Sequence, residues 1–134
     1  MGGSKLYLPE VGSDQFNEIV EGRDDVIVSD LAVTDIIAAT ARRLRQGTLS
    51  RETARLQQAI IGRLDEGVYH RVEPTREVHR RAEHFLVSLS GTPLRTADAL
   101  HLALATSARA GSLASFDSRL SAAARAVGLA VYPG

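Results

Sequence analysis

Pro93-Leu94-Arg95-Thr96-Ala97-Asp98-Ala99-Leu100-His101-Leu102-Ala103-Leu104-Ala105 is the stretch whose reading decides what kind of protein this is. From Ala99 onward only His101 is polar, so the run predicts a helix buried on nearly every side. Thr96 can cap that helix by offering its hydroxyl to free backbone N–H groups, and Pro93 keeps the preceding loop out of helical conformation. Asp98 then falls in the first turn. A carboxylate at the head of a buried helix needs a partner, whether a backbone amide, an arginine or a metal ion.

Downstream, Gly111 is the expected C-cap, and Ser112-Leu113-Ala114-Ser115-Phe116 reads as a short strand delivering Asp117 at its end. Asp117 or Ser118 caps a helix over 119–126, Gly128 stops it, and Leu129-Ala130-Val131-Tyr132 is a last strand. Upstream, Val26-Ile27-Val28 is a β-branched run suited to a buried parallel strand, followed at once by Ser29 or Asp30 as a helix cap. The helix over 31–45 shows Leu31, Val33, Ile36, Ile37, Ala41 and Leu44 on one face, with Asp35 near its start. Gly47 ends it. Ser50-Arg51-Glu52-Thr53 opens a second helix, with Leu56, Ala59, Ile60 and Leu64 at helical spacing, so that the two form a hairpin. Val68 to Val72 alternates as a strand, and Pro74-Thr75 opens a helix reaching Leu89.

At the front, Lys5 to Glu10 is a short apolar piece ended by Pro9, and Gly12-Ser13-Asp14 supplies a turn and N-cap for a helix over 15–20. Residues 1–4 read as a linker and residues 5–134 as one domain. Short buried strands separated by helices imply parallel βαβ units, hence a three-layer α/β/α sheet structure.

Composition narrows the chemistry. The chain has 134 residues and no cysteine, which excludes disulfides, thiolate zinc sites and cysteine nucleophiles. Sixteen basic residues balance sixteen acidic ones, so a nucleic-acid partner requires a local positive surface, not overall charge. Lys5 is the only lysine, and an arginine-rich, alanine-rich chain is also what a GC-rich genome encodes. No apolar run suggests a signal peptide or spanning helix, so the expected location is the cytoplasm.

In a parallel sheet, functional groups gather beyond the carboxyl ends of the strands. Asp35, Asp98 and Asp117 fall there from three distant parts of the chain. Three carboxylates in one cleft repel one another unless a hard cation neutralises them, and Mg²⁺ or Mn²⁺ suits oxygen ligands. Such an ion activates water against a phosphodiester. Each acid also has a plainer reading. Asp98 and Asp117 suit helix caps, and Asp35 could pair with an arginine. His101 reads as a core histidine satisfied by hydrogen bonds, and Arg95 and Arg119 flank the expected cleft, where they could touch RNA phosphates. Asp14, Asp24, Asp25, Asp30 and Asp65 read as turn, cap or surface residues.

Leu94-Arg95-Thr96-Ala97-Asp98-Ala99-Leu100-His101-Leu102-Ala103, followed by Leu113-Ala114-Ser115-Phe116-Asp117-Ser118-Arg119-Leu120, resembles the C-terminal signature of PIN-domain ribonucleases of the VapC toxin type. Val28-Ser29-Asp30-Leu31-Ala32-Val33-Thr34-Asp35 is similar to the family's middle motif, whose last position is usually glutamate. The resemblance implies a Mg²⁺- or Mn²⁺-dependent endoribonuclease acting on structured RNA such as tRNA or ribosomal RNA, with Asp35, Asp98 and Asp117 as catalytic and metal-holding residues. It further implies a type II toxin-antitoxin pair, a VapB-type antitoxin partner and a homodimer. The family begins with a strand ending in aspartate and a small hydroxyl residue. None precedes Lys5, so the PIN-like sheet is expected with its first strand missing or replaced, the Val26 and Leu113 strands pairing directly or borrowing a segment from another chain. The alternative reading is a catalytically silent PIN-like module that binds an antitoxin or RNA.

Overall fold

Leu6–Leu8 (β1) is the middle strand of a five-stranded sheet ordered β3-β2-β1-β4-β5, in which every neighbouring pair runs parallel. The computed structural model that reveals this describes residues 5–11, 14–67 and 69–133. In chain order β1 is followed by α1 (Asp14–Val20), β2 (Val26–Ser29), α2 (Asp30–Gln46), α3 (Arg51–Asp65), β3 (Tyr69–Val72), α4 (Arg76–Ser88), α5 (Thr96–Ser107), β4 (Ser112–Ala114), α6 (Ser118–Ala126) and β5 (Ala130–Tyr132). The linker expected over 1–4, the Gly12-Ser13 part of the first turn, and Val68 lie outside the described residues.

The centre of the sheet is filled from within the chain, in place of the expected direct pairing of the Val26 and Leu113 strands or a segment borrowed from another chain. The apolar piece at the front takes that central place: Tyr7 registers with Ile27 on one side and with Leu113 on the other, so β2 and β4 flank it and do not pair with each other. Three residues suffice because both strand edges are hydrogen-bonded and Leu6, Tyr7 and Leu8 are all buried. So short a run, ended by Pro9, carries almost no periodic signal of its own.

Strand alternation sorts the core into two faces. Tyr7, Ile27, Leu113 and Val131 point to one side, where they meet Val78 and Ala82 of α4, Leu102 and Ala103 of α5, and Leu120 and Ala123 of α6. Leu6, Leu8, Val26, Val28 and Ala114 point to the other, against Phe16 and Val20 of α1 and Ile36 of α2. The result is the three-layer α/β/α arrangement that the alternation of strands and helices predicts. Helix α5 is the inner helix of its layer: Leu102, Ala103 and Ala105 are fully buried.

Caps follow local chemistry, with two shifts. Ser29 caps α2 by accepting the Ala32 N–H at 3.3 Å, and Thr75 caps α4 by accepting that of Val78 at 3.3 Å. Helix α5 starts at Thr96 as expected, but its N-cap is Arg95, and Thr96 is already helical. Its C-cap is Ala108, not Gly111, because Arg109 takes the left-handed turn with φ of 58°. The expected apolar face of α2 also splits: Ile36 is buried, whereas Ile37 and Leu44 are 54% and 62% exposed. Those two line an outward groove shared with α3, which is joined to α2 by the Thr40 hydroxyl donating to the Gln57 side-chain carbonyl.

Candidate active site

The chain runs β1, β2, β3 toward one edge of the sheet and returns to β4 and β5 on the other side of β1. The order therefore reverses beside β1, and at such a switch point the carboxyl ends of the strands open a crevice. A cleft of about 510 Å³ lies there, lined by Glu10, Asp35, Asp98, His101, Ser115 and Asp117 among others.

Each acid is delivered by a different segment. Glu10 follows β1 after Pro9. Asp35 stands in α2, whose start is pinned to the end of β2 by the Ser29 cap. Asp98 is the third residue of α5, and its Oδ2 accepts the Arg95 backbone N–H at 3.1 Å. Asp117 follows β4 and caps α6, its Oδ1 accepting the Arg119 N–H at 2.9 Å. Ser115 braces that turn: its hydroxyl accepts the Asp117 N–H and donates to the Asp117 carbonyl, both at 3.1 Å. Capping and lining the cleft are thus not alternatives. Each capping aspartate uses one carboxylate oxygen for the helix and keeps a second.

The electrostatics record the convergence. Glu10 titrates above the usual carboxylate range, first because the cleft partly desolvates it and second because of the Asp35 charge. Burial pushes the His101 imidazole down, against the opposing pull of Asp35 and Asp98. His101 Nδ1 lies 2.7 Å from the Tyr7 hydroxyl, so the expected core hydrogen bond is present, while the ring also lines the cleft. Phe16 and Phe116 meet edge-on at 5.1 Å on the cleft wall.

The structure brings Asp35, Asp98 and Asp117 to one cleft and adds Glu10, which the sequence reading passed over. An acid shortly after a buried apolar run is the same kind of signal that singles out Asp117; it goes unread when that run is not taken for a strand. Among the remaining acids, Asp30 pairs with Arg71, and Asp25 with Arg23 at 2.8 Å. All four cleft acids offer hard oxygen donors, the chemistry that Mg²⁺ or Mn²⁺ prefers. Among the described residues no three His, Cys, Asp or Glu side chains are close enough to hold one ion directly. An ion bound here would therefore take no more than two of these side chains directly and reach the others through its waters.

A sequence model of the PIN domain matches residues 4–126. The fold is similar to that in the crystal structure of FitAcB from Neisseria gonorrhoeae, with a TM-score of 0.51 and 15% identity, covering 96% of each chain; at that identity the likeness is one of fold. No curated protein matches the chain.

Proposed function

The chain belongs to the PIN-domain family, whose members are generally nucleases, and from that premise we propose that it is a divalent-metal-dependent endoribonuclease, the toxin of a type II pair of the VapBC kind. The observation that carries this reading is the meeting of Glu10, Asp35, Asp98 and Asp117, from four separate segments, in one cleft at the switch point of the sheet. Four carboxylates so placed offer a cation oxygen ligands, and Glu10 is raised first by partial burial and then by the Asp35 charge that such a cation would offset.

Asp35, Asp98 and Asp117, with Glu10 beside Asp35, are the residues that would hold Mg²⁺ or Mn²⁺. When bound, such an ion lowers the pKa of water and neutralises charge on a phosphate under attack. The chain's own contribution is placement. Capping bonds fix Asp98 and Asp117 on the first turns of two helices, and the Ser115 hydroxyl holds the turn that carries Asp117. Asp35, where the family usually has glutamate, is one methylene shorter and suits contact through a water. Arg95 and Arg119, at the starts of α5 and α6, would meet RNA phosphates outside the acids. The RNA class (tRNA or ribosomal RNA), a VapB-type antitoxin and a homodimer are what the resemblance implies. Among the described residues no helix is long and apolar enough to cross a membrane.

Incubating the full chain with tRNA and ribosomal RNA while titrating Mg²⁺ or Mn²⁺ tests the proposal. Cutting that requires the metal and disappears in Asp98→Asn is expected. Cutting that survives excess chelator, or an unimpaired Asp98→Asn, overturns it. One observation favours the silent-module alternative: Pro9 follows β1 where the family strand ends in aspartate. Metal binding without turnover would decide for that reading.

A further inference from the structure

A line of buried polar groups runs beneath the acids. Ser29 and Tyr7 are both 0% exposed, and the Tyr7 hydroxyl lies 2.7 Å from His101 Nδ1. These groups stand on three elements that supply the cleft: Ser29 caps the helix bearing Asp35, Tyr7 sits on the strand leading to Glu10, and His101 is on the helix bearing Asp98.

The direction of donation follows from satisfying every proton. If the Tyr7 O–H donates to Nδ1, the buried phenol proton has its acceptor 2.7 Å away. In the reverse direction, with Nδ1–H donating to Tyr7, the buried Tyr7 O–H makes no hydrogen bond to any described residue, and unsatisfied buried donors are strongly disfavoured. Burial raises the Tyr7 pKa far beyond its ordinary value, so its proton is firmly held, and burial likewise keeps the imidazole neutral. With Nδ1 turned toward the sheet and occupied, Nε2 is the ring nitrogen left to the cleft.

We propose that His101 is a substrate-orienting residue: fixed by Tyr7 as the Nε2–H tautomer, it presents that N–H from the cleft floor to an anionic oxygen of a bound phosphodiester. The choice of ligand rests on the nuclease reading; the tautomer does not. A neutral donor suits this position. It binds a phosphate oxygen that the surrounding carboxylates repel, and unlike an arginine it does not neutralise the acids that a cation needs.

Two-bond ¹H–¹⁵N NMR of the ¹⁵N-labelled full chain in Mg²⁺ tests this without any turnover. The His101 ring is expected to carry its proton on Nε2. Dimethyl phosphate, a minimal anionic phosphodiester, should shift Nε2 and leave Nδ1 in place, and trimethyl phosphate, the neutral ester, should shift neither. An Nδ1–H tautomer, an unmoved Nε2, or an equal response to both esters overturns the proposal. In kinetics, His101→Phe should raise KM for RNA about tenfold with kcat little changed, and His101→Gln, which keeps a donor near the Nε2 position, should recover most of it. A loss confined to kcat counts against the role. Absence of cleavage by the parent chain, with tautomer and dimethyl phosphate shift as expected, supports the donor role while sinking the nuclease reading, so the two fail separately.

Discussion

Asp117 Oδ1 accepts the Arg119 N–H at 2.9 Å, so the carboxylate that walls the acid cleft is also the N-cap of α6. The cap needs only an acceptor, whereas a cation site needs charge. Asp117→Asn keeps the acceptor and drops the charge; Asp117→Ala drops both. In thermal melts without metal, the Asn variant is expected within about 0.5 kcal/mol of the parent and the Ala variant about 1 kcal/mol below it. Stabilisation by Mg²⁺ should fall in both. An Asn variant as unstable as Ala would show that capping is not what Asp117 contributes to the fold.

Glu10 carries a pH signature. Its folded pKa stands above the ordinary 4.5, through partial burial and then the Asp35 charge. The folded chain therefore holds this proton more tightly than the unfolded one. The contribution favours folding at low pH and is lost as pH rises from about 4.5 through the folded value. In chelator, Glu10→Gln should melt higher than the parent at pH 7 and equal to it well below pH 4.5. Saturating Mg²⁺ should narrow or reverse the difference at pH 7, because the parent gains an oxygen donor that the variant lacks. A variant that melts lower than the parent at pH 7 in chelator would contradict the strain assigned to this pair.

Asp35 can be separated from the other acids by length. Asp35→Glu restores the longer side chain usual in the family and should bind Mn²⁺ at least as tightly as the parent. Asp35→Asn should weaken binding about tenfold or more. Isothermal titration of the metal alone reads both; identical affinity in the parent and the Asn variant would remove Asp35 from the site.

The core should respond by depth. Leu102 is 0% exposed on α5, and Leu102→Ala is expected to cost about 2–5 kcal/mol through lost burial and a residual cavity. Val87, 81% exposed at the end of α4, should tolerate Val87→Ala within about 0.5 kcal/mol. Urea unfolding of both variants checks the contrast, and near-equal losses would mean that α5 is not the inner helix.

Much of the cleft is legible one segment at a time. Asp98 and Asp117 can be placed at helix starts because capping is local: a carboxylate, free N–H groups and a break in the apolar pattern all lie within a few residues. Val26–Ser29 reads as a strand because β-branched residues cluster there. The outward turn of Ile37 and Leu44 is not legible, because a helix's apolar spacing does not say how far along its length the sheet continues beneath it. Nor is Glu10, whose place depends on recognising three residues as a strand.

By itself the sequence determined the alternation of short apolar strands with helices, the buried character of α5 and the caps that orient Asp98 and Asp117, since each rests on interactions spanning a turn or two. Only the tertiary structure decided that Leu6–Leu8 is the central strand, that Glu10 joins the acids and that Tyr7 reaches His101 across 94 positions. Parallel strands have no contact with their neighbours until the connecting helices close, so a three-residue strand is specified by the partners on either side of it and not by its own pattern.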